Sequence, residues 1–129
     1  MKSLQFEYCP TCGNLIEKIE DQRVPLMCCG KKLEALTPNT TEAAIEKHLP
    51  VIKITDQTLT VEVAEVTHPS LASHWIPWVV IQTPTLTIRQ EFKPGETPTV
   101  ILPRPEAGTP VRAYAYCNLH GLWMSETIC

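Results

Sequence analysis

Four cysteines crowd the first 29 residues of this 129-residue chain, as Cys9-Pro-Thr-Cys12 and, fifteen residues later, Cys28-Cys29-Gly30. A segment of about 37 residues buries too little apolar surface to hold a fold by itself. Something else must organise it. Two residues between Cys9 and Cys12 let one tight turn aim both sulfurs at a single ion, and Gly13 and Gly30 stand where such turns need a permissive backbone. Without an apolar export signal at "MKSLQFEYCP", clustered cysteines point to metal ligation more than to disulfides. Four sulfurs in a tetrahedron suit zinc or iron, and spacing alone does not choose between them. Buried free thiols, or a disulfide between the pairs, are the competing readings. Adjacent Cys28 and Cys29 cannot both adopt the relaxed turn, so distorted coordination angles are expected.

"LTPNTT", residues 36–41, reads as a linker, which divides the chain into segments 1–37 and 38–129. Twelve prolines in 129 residues disfavour long helices. "TEAAIEKHLP" predicts one helical turn, stopped before Pro50. Beyond it the apolar period becomes two. In "TLTVEVAEV", Leu59, Val61 and Val63 share one face, and Thr60 and Glu62 the other. "WVVIQ", "LTIRQEF", "TVIL", "VRAYAYC" and "LWMSETI" read as further strands, and "KPGE" places Pro94 and Gly95 at the centre of a type II turn. In "VRAYAYC", Val111, Ala113, Ala115 and Cys117 oppose Arg112, Tyr114 and Tyr116. Short strands with frequent turn signals predict an antiparallel sandwich.

The net charge of −3 gives no sign of nucleic-acid or membrane-surface binding. No run approaches the roughly 18 apolar residues of a membrane helix. A soluble, cytoplasmic protein is expected.

The four histidines, His48, His68, His74 and His120, each stand beside a turn signal or a strand end. Cys117 sits three residues before His120. Loops at one end of a sandwich bring distant segments together, so the histidines and Cys117 are candidates for one shared ion. The competing reading is four unrelated surface or hydrogen-bonded side chains.

"EKH" before a proline, "HP" followed after five residues by "HWIPW", and "CNLHGLW" resemble the iron-site motifs of superoxide reductases. The cysteine pairs resemble the desulforedoxin-like module of the two-iron form, desulfoferrodoxin. The resemblance covers nearly the whole chain. It implies a mainly β protein, with a rubredoxin- or desulforedoxin-like metal module (1–37) followed by an immunoglobulin-like catalytic sandwich (38–129). It also implies two irons per chain. One would be held by Cys9, Cys12, Cys28 and Cys29, where zinc can substitute on recombinant expression. The other would be held by His48, His68, His74 and His120 around it and by Cys117 as axial thiolate. The implied activity is one-electron reduction of superoxide to hydrogen peroxide, in defence against oxidative stress. The implied partners are a rubredoxin-like electron donor and a second copy of the chain. A divalent ion among neutral imidazoles and one thiolate is locally positive, which draws an anionic substrate to an acidic protein.

By the same resemblance, Lys47 attracts superoxide and orders a proton-supplying water, and Glu46 occupies the open position in the ferric state. An ordinary solvated charge pair is the alternative for both. Cys129 fits neither site and is expected to be a free thiol. Met124 stands where the family pattern leads one to expect a lysine. Trp75 and Trp78 are read as sandwich core, or else as packing around the metal loops. Two other functions compete: a non-catalytic electron-transfer or redox-sensing metalloprotein, and a zinc-stabilised binding module.

Overall fold

A computed structural model describes residues 1–41, 45–63 and 71–129, and the side chains of Glu46 and Lys47 lie outside that description. The chain divides into two compact units, Lys2–Thr37 and Pro38–Cys129, the latter with Met1.

The small unit has five short strands: β1 (Gln5–Tyr8), β2 (Leu15–Lys18), β3 (Met27–Cys28), β4 (Lys31–Lys32) and β5 (Glu34–Ala35). β1 is the centre of a three-stranded antiparallel sheet between β2 and β5, and β3 and β4 form a separate ribbon. Its buried apolar residues are Phe6 and Cys9 alone, while Ile19, Val24 and Met27 lie exposed. Burial on that scale cannot offset the ordering of 36 residues. The half-buried Lys18 ammonium supplies one polar tie, reaching Glu7 at 2.9 Å and Asp21 at 3.3 Å. Those two carboxylates hold the Lys18 pKa above its usual value, Glu7 contributing most.

The large unit opens with a single helical turn, α1 (Ile45–His48), closed by a hydrogen bond from the Leu49 N–H to the Ile45 carbonyl at 2.9 Å. Seven strands follow among the described residues: β6 (Pro50–Ile54), β7 (Thr58–Val63), β8 (Trp78–Gln82), β9 (Thr87–Glu91), β10 (Thr99–Pro103), β11 (Pro110–Cys117) and β12 (Gly121–Ile128). They make two antiparallel sheets, ordered β10-β7-β6 and β12-β11-β8-β9. The period-two pattern does what a sandwich needs. Leu59, Val61 and Val63 from one sheet and Val79, Ile81, Val111, Ala113 and Ala115 from the other are buried in one cluster.

Two sequence expectations need adjustment. β6 was not among the strands anticipated. Its leading Pro50 disguises it, yet proline is tolerated at the first residue of an edge strand. Tyr114 lies on the face of β11 opposite Val111 and Ala113, as the alternation sets it, and is only 1% exposed, while Arg112 and Tyr116 on that face are half-buried. Trp75 and Trp78 are half-buried, not core. Trp78 stacks on its cross-strand neighbour Tyr116, with ring centroids 5.4 Å apart. The 93–96 turn forms as expected, with a Glu96 N–H to Lys93 carbonyl bond of 3.1 Å and Gly95 at φ +92°.

Candidate metal centres

In the small unit the Cys9 loop curls back on itself. The Gly13 N–H donates to the Cys9 carbonyl and the Cys9 N–H to the Asn14 carbonyl, both at 2.8 Å. The β3–β4 hairpin brings up the second pair. All four sulfurs of Cys9, Cys12, Cys28 and Cys29 then lie within 4.8 Å of one another, and those of Cys12 and Cys28 are 3.5 Å apart. Sulfurs about 2.3 Å from a tetrahedral ion are separated by roughly 3.8 Å, so the cluster fits one ion. The adjacent pair has a backbone cost: Cys29 sits in the left-handed region at φ +52°, where a side chain is strained. The thiols are inequivalent. The Cys12 backbone N–H chiefly draws the Cys9 pKa down to about 6, whereas sharing hydrogens with Cys12 and Cys9 pushes Cys29 up to about 12. The Cys9 thiolate is therefore ready at neutral pH, while Cys28 and Cys29 become thiolates as an ion displaces their protons.

In the large unit a second cluster forms at one end of the sandwich. Cys117 closes β11 and His120 occupies the tight turn into β12. His48 ends α1, and His74 lies in the connection before β8. One donor atom from each of His48, His74, Cys117 and His120 lies within 4.8 Å of the rest. His120 Nδ1 is 2.9 Å from His48 Nε2 and 3.8 Å from the Cys117 sulfur. The His48 and His120 rings stand at 87° to each other, and those of His74 and His120 at 78°. Ligands about 2.1 Å from an ion and at right angles to each other stand roughly 3 Å apart, which matches the His48–His120 approach. Three imidazoles and a thiolate form a donor set suited to a transition metal. Cys117 is fully buried and His48 is 2% exposed. Burial pushes the Cys117 thiol up, and the N–H groups of Leu119 and His120 partly pull it back. Those N–H groups are set to carry the charge once the thiolate forms.

His68 lies outside the described residues, as do the side chains of Glu46 and Lys47. Cys129 joins neither cluster. It is a free, half-buried thiol packed against the sandwich core, at the opposite end of β11 from Cys117. The indole on the His48 ring is that of Trp123, with centroids 5.1 Å apart and planes at 23°. Trp75 donates its ring N–H to the Phe92 carbonyl at 3.1 Å. Strand register would have revealed Trp123. Pairing Cys117 with Gly121 sets Trp123 opposite Ala115, on the inward face.

The desulfoferrodoxin family model matches residues 40–126. The chain is 38% identical to the desulfoferrodoxin of Syntrophotalea carbinolica over 125 residues, covering 97% of this chain and 98% of that one. It is 33% identical to the superoxide reductase of Pyrococcus horikoshii over 98 residues, covering 63% of this chain and 85% of the relative. Among solved structures, the superoxide reductase from Treponema pallidum superimposes with a TM-score of 0.74 at 30% identity, covering 96% of this chain and 99% of that one.

Proposed function

The chain belongs to the desulfoferrodoxin family, and from that premise we propose that it is a superoxide reductase. Each turnover takes up one superoxide, one electron and two protons and releases hydrogen peroxide. The observation that carries the proposal is the convergence of His48, His74 and His120 on the buried Cys117. Segment 1–37 is the desulforedoxin-like module and segment 38–129 the catalytic sandwich.

His48, His74, Cys117 and His120, with His68 as a fourth imidazole, would hold a ferrous ion at the second centre, and that ion would supply the single electron. The chain's own residues do the rest. Cys117, in a dry site, places negative charge on one side of the centre, and the Leu119 and His120 N–H groups hold that charge in position. The imidazoles are neutral donors, so the centre keeps a net positive charge that attracts the anion. Lys47, in the turn that ends at His48, adds a positive charge that attracts the anion and orders the water that delivers protons. Glu46, its neighbour, would offer a carboxylate to an iron held there once that iron is oxidised. The four-cysteine iron is auxiliary. A rubredoxin-like protein restores the reduced state, and the working unit is a homodimer in the cytoplasm.

The test has two parts. Reduction yields one peroxide per superoxide with no oxygen, whereas dismutation yields half as much peroxide with oxygen evolved. In the optical spectrum of oxidised protein, Cys117→Ser removes a thiolate-to-iron band and leaves the bands of the four-cysteine iron intact. An unchanged spectrum from fully loaded Cys117→Ser protein refutes the assignment. Loaded protein that consumes no superoxide points instead to a non-catalytic electron carrier.

A further inference from the structure

The β11–β12 hairpin that supplies Cys117 and His120 also grips the two segments bearing the other described histidines. Asn118 lies between the two ligands of the turn. Its side-chain oxygen accepts from the Trp75 N–H at 2.9 Å, and its amide nitrogen donates to the Ser73 carbonyl at 3.0 Å. Its own N–H reaches the Trp75 carbonyl at 3.3 Å. Ser73 and Trp75 flank His74, so one side chain clasps the backbone on both sides of a ligand more than 40 positions away in the chain.

β12 does the corresponding work for His48. The Trp123 indole lies face to face with the imidazole at 5.1 Å and 23°, and both residues are 2% exposed. The indole N–H has no hydrogen-bond partner among the described residues, so the ring face is what this buried tryptophan contributes. Two residues further along β12, the Ser125 hydroxyl donates to the Pro50 carbonyl at 2.5 Å, just past His48. α1 is a single turn and cannot by itself fix the direction of its last side chain.

We propose that Asn118 and Trp123 are positioning residues: Asn118 sets His74 and Trp123 sets His48 against the Cys117–His120 pair before an ion arrives. Partners outside the coordination sphere that orient ligands in this way typically change metal affinity by about 10–100-fold. A ligand ring that gains positive character on binding an ion is further favoured over an indole face. The inference rests on the functional reading above, because it takes this cluster to be a metal centre.

The test loads the full chain with cobalt(II), whose absorption distinguishes a four-thiolate centre from a mixed imidazole–thiolate one. Loss of cobalt to EDTA is then followed at each set of bands, with the four-cysteine centre as an internal control. Asn118 is half-exposed, so Asn118→Ala should fold. It is expected to lose cobalt from the mixed centre about tenfold faster than the parent, with displaced ligand-field bands, while the four-cysteine bands decay at the parent rate. Trp123→Phe keeps a ring with a weaker π-face. It should lose cobalt from the mixed centre roughly threefold faster. Decay and bands identical to the parent in either variant overturn that residue's role. Equal acceleration at both centres does so too, because it signals general destabilisation. A parent chain that never develops the mixed-ligand bands defeats the functional reading itself.

Discussion

Gly121, between His120 and the body of β12, offers a measurement whose size follows from geometry. Its φ is +79°, and a methyl group built there would stand 3.2 Å from the Thr41 hydroxyl oxygen. In Gly121→Ala, forcing an L side chain into the left-handed region costs about 1–2 kcal/mol. The smaller freedom of alanine in the unfolded chain returns about 0.4–1 kcal/mol. The Thr41 hydroxyl is the end of a side chain and moves a few tenths of an ångström, a small further cost. The net loss is about 1 kcal/mol, which for a unit of this size lowers Tm by roughly 4–8 °C. Gly108 is the control, because its φ is +88° and nothing lies within 4 Å of a methyl group there. Gly108→Ala carries the backbone cost without the contact. Thermal unfolding followed by circular dichroism, on metal-saturated protein at one pH, compares the two. Thr41→Ala in the Gly121→Ala background should bring that variant level with Gly108→Ala. A Gly121→Ala protein as stable as the parent would falsify the reasoning, because it would mean the turn relaxes freely and does not fix His120.

Burial holds the Cys117 thiol above its usual pKa, so in metal-free protein at neutral pH an entering ion must displace its proton. Affinity at the mixed centre should therefore rise about tenfold per pH unit between pH 7 and 8; competition titrations that show a pH-independent affinity would contradict this. Removing the ion from the four-cysteine cluster with a strong chelator should melt the Lys2–Thr37 unit and leave the sandwich folded, seen as loss of amide protection confined to that unit. Asn39→Ala should destabilise the large unit by about 1–2 kcal/mol in chemical denaturation. The Asn39 side chain bonds both the N–H and the carbonyl of Met124 at 2.9 Å. Asn39→Gly, which accepts the φ of +63° without strain, should cost less.

Most of the sandwich was legible because burial on one face imposes its period directly on residues such as Leu59, Val61 and Val63. The single turn before Pro50 was legible for a local reason, since proline bars the residue before it from continuing a helix. Alternation sorted Tyr114 onto the face of β11 opposite Val111 and Ala113, but it carries no information on how deeply that face is buried, and Tyr114 is only 1% exposed. At the metal clusters, residue type and short spacing revealed Cys9, Cys12, Cys117 and His120. Sequence spacing holds no distance between His48 and His120, 72 positions apart; the family resemblance supplied that grouping. Asn118, Trp123 and Asn39 escaped notice because their partners are backbone groups and a ring face reached only through tertiary contact. The substitution at Met124 leaves the backbone bonds to Asn39 in place, since they involve only main-chain atoms of that residue.

α1 leads into β6 of one sheet, while Cys117 and His120 belong to the hairpin of the other. An ion gripping both would therefore act as a rivet between the two layers, the job an inter-sheet disulfide performs in an antibody domain. Unlike a disulfide, it forms in a reducing compartment and comes apart when the ion is withdrawn. Loss of the ion would then loosen that end of the sandwich, so that the empty protein is the one most readily cleared by proteolysis.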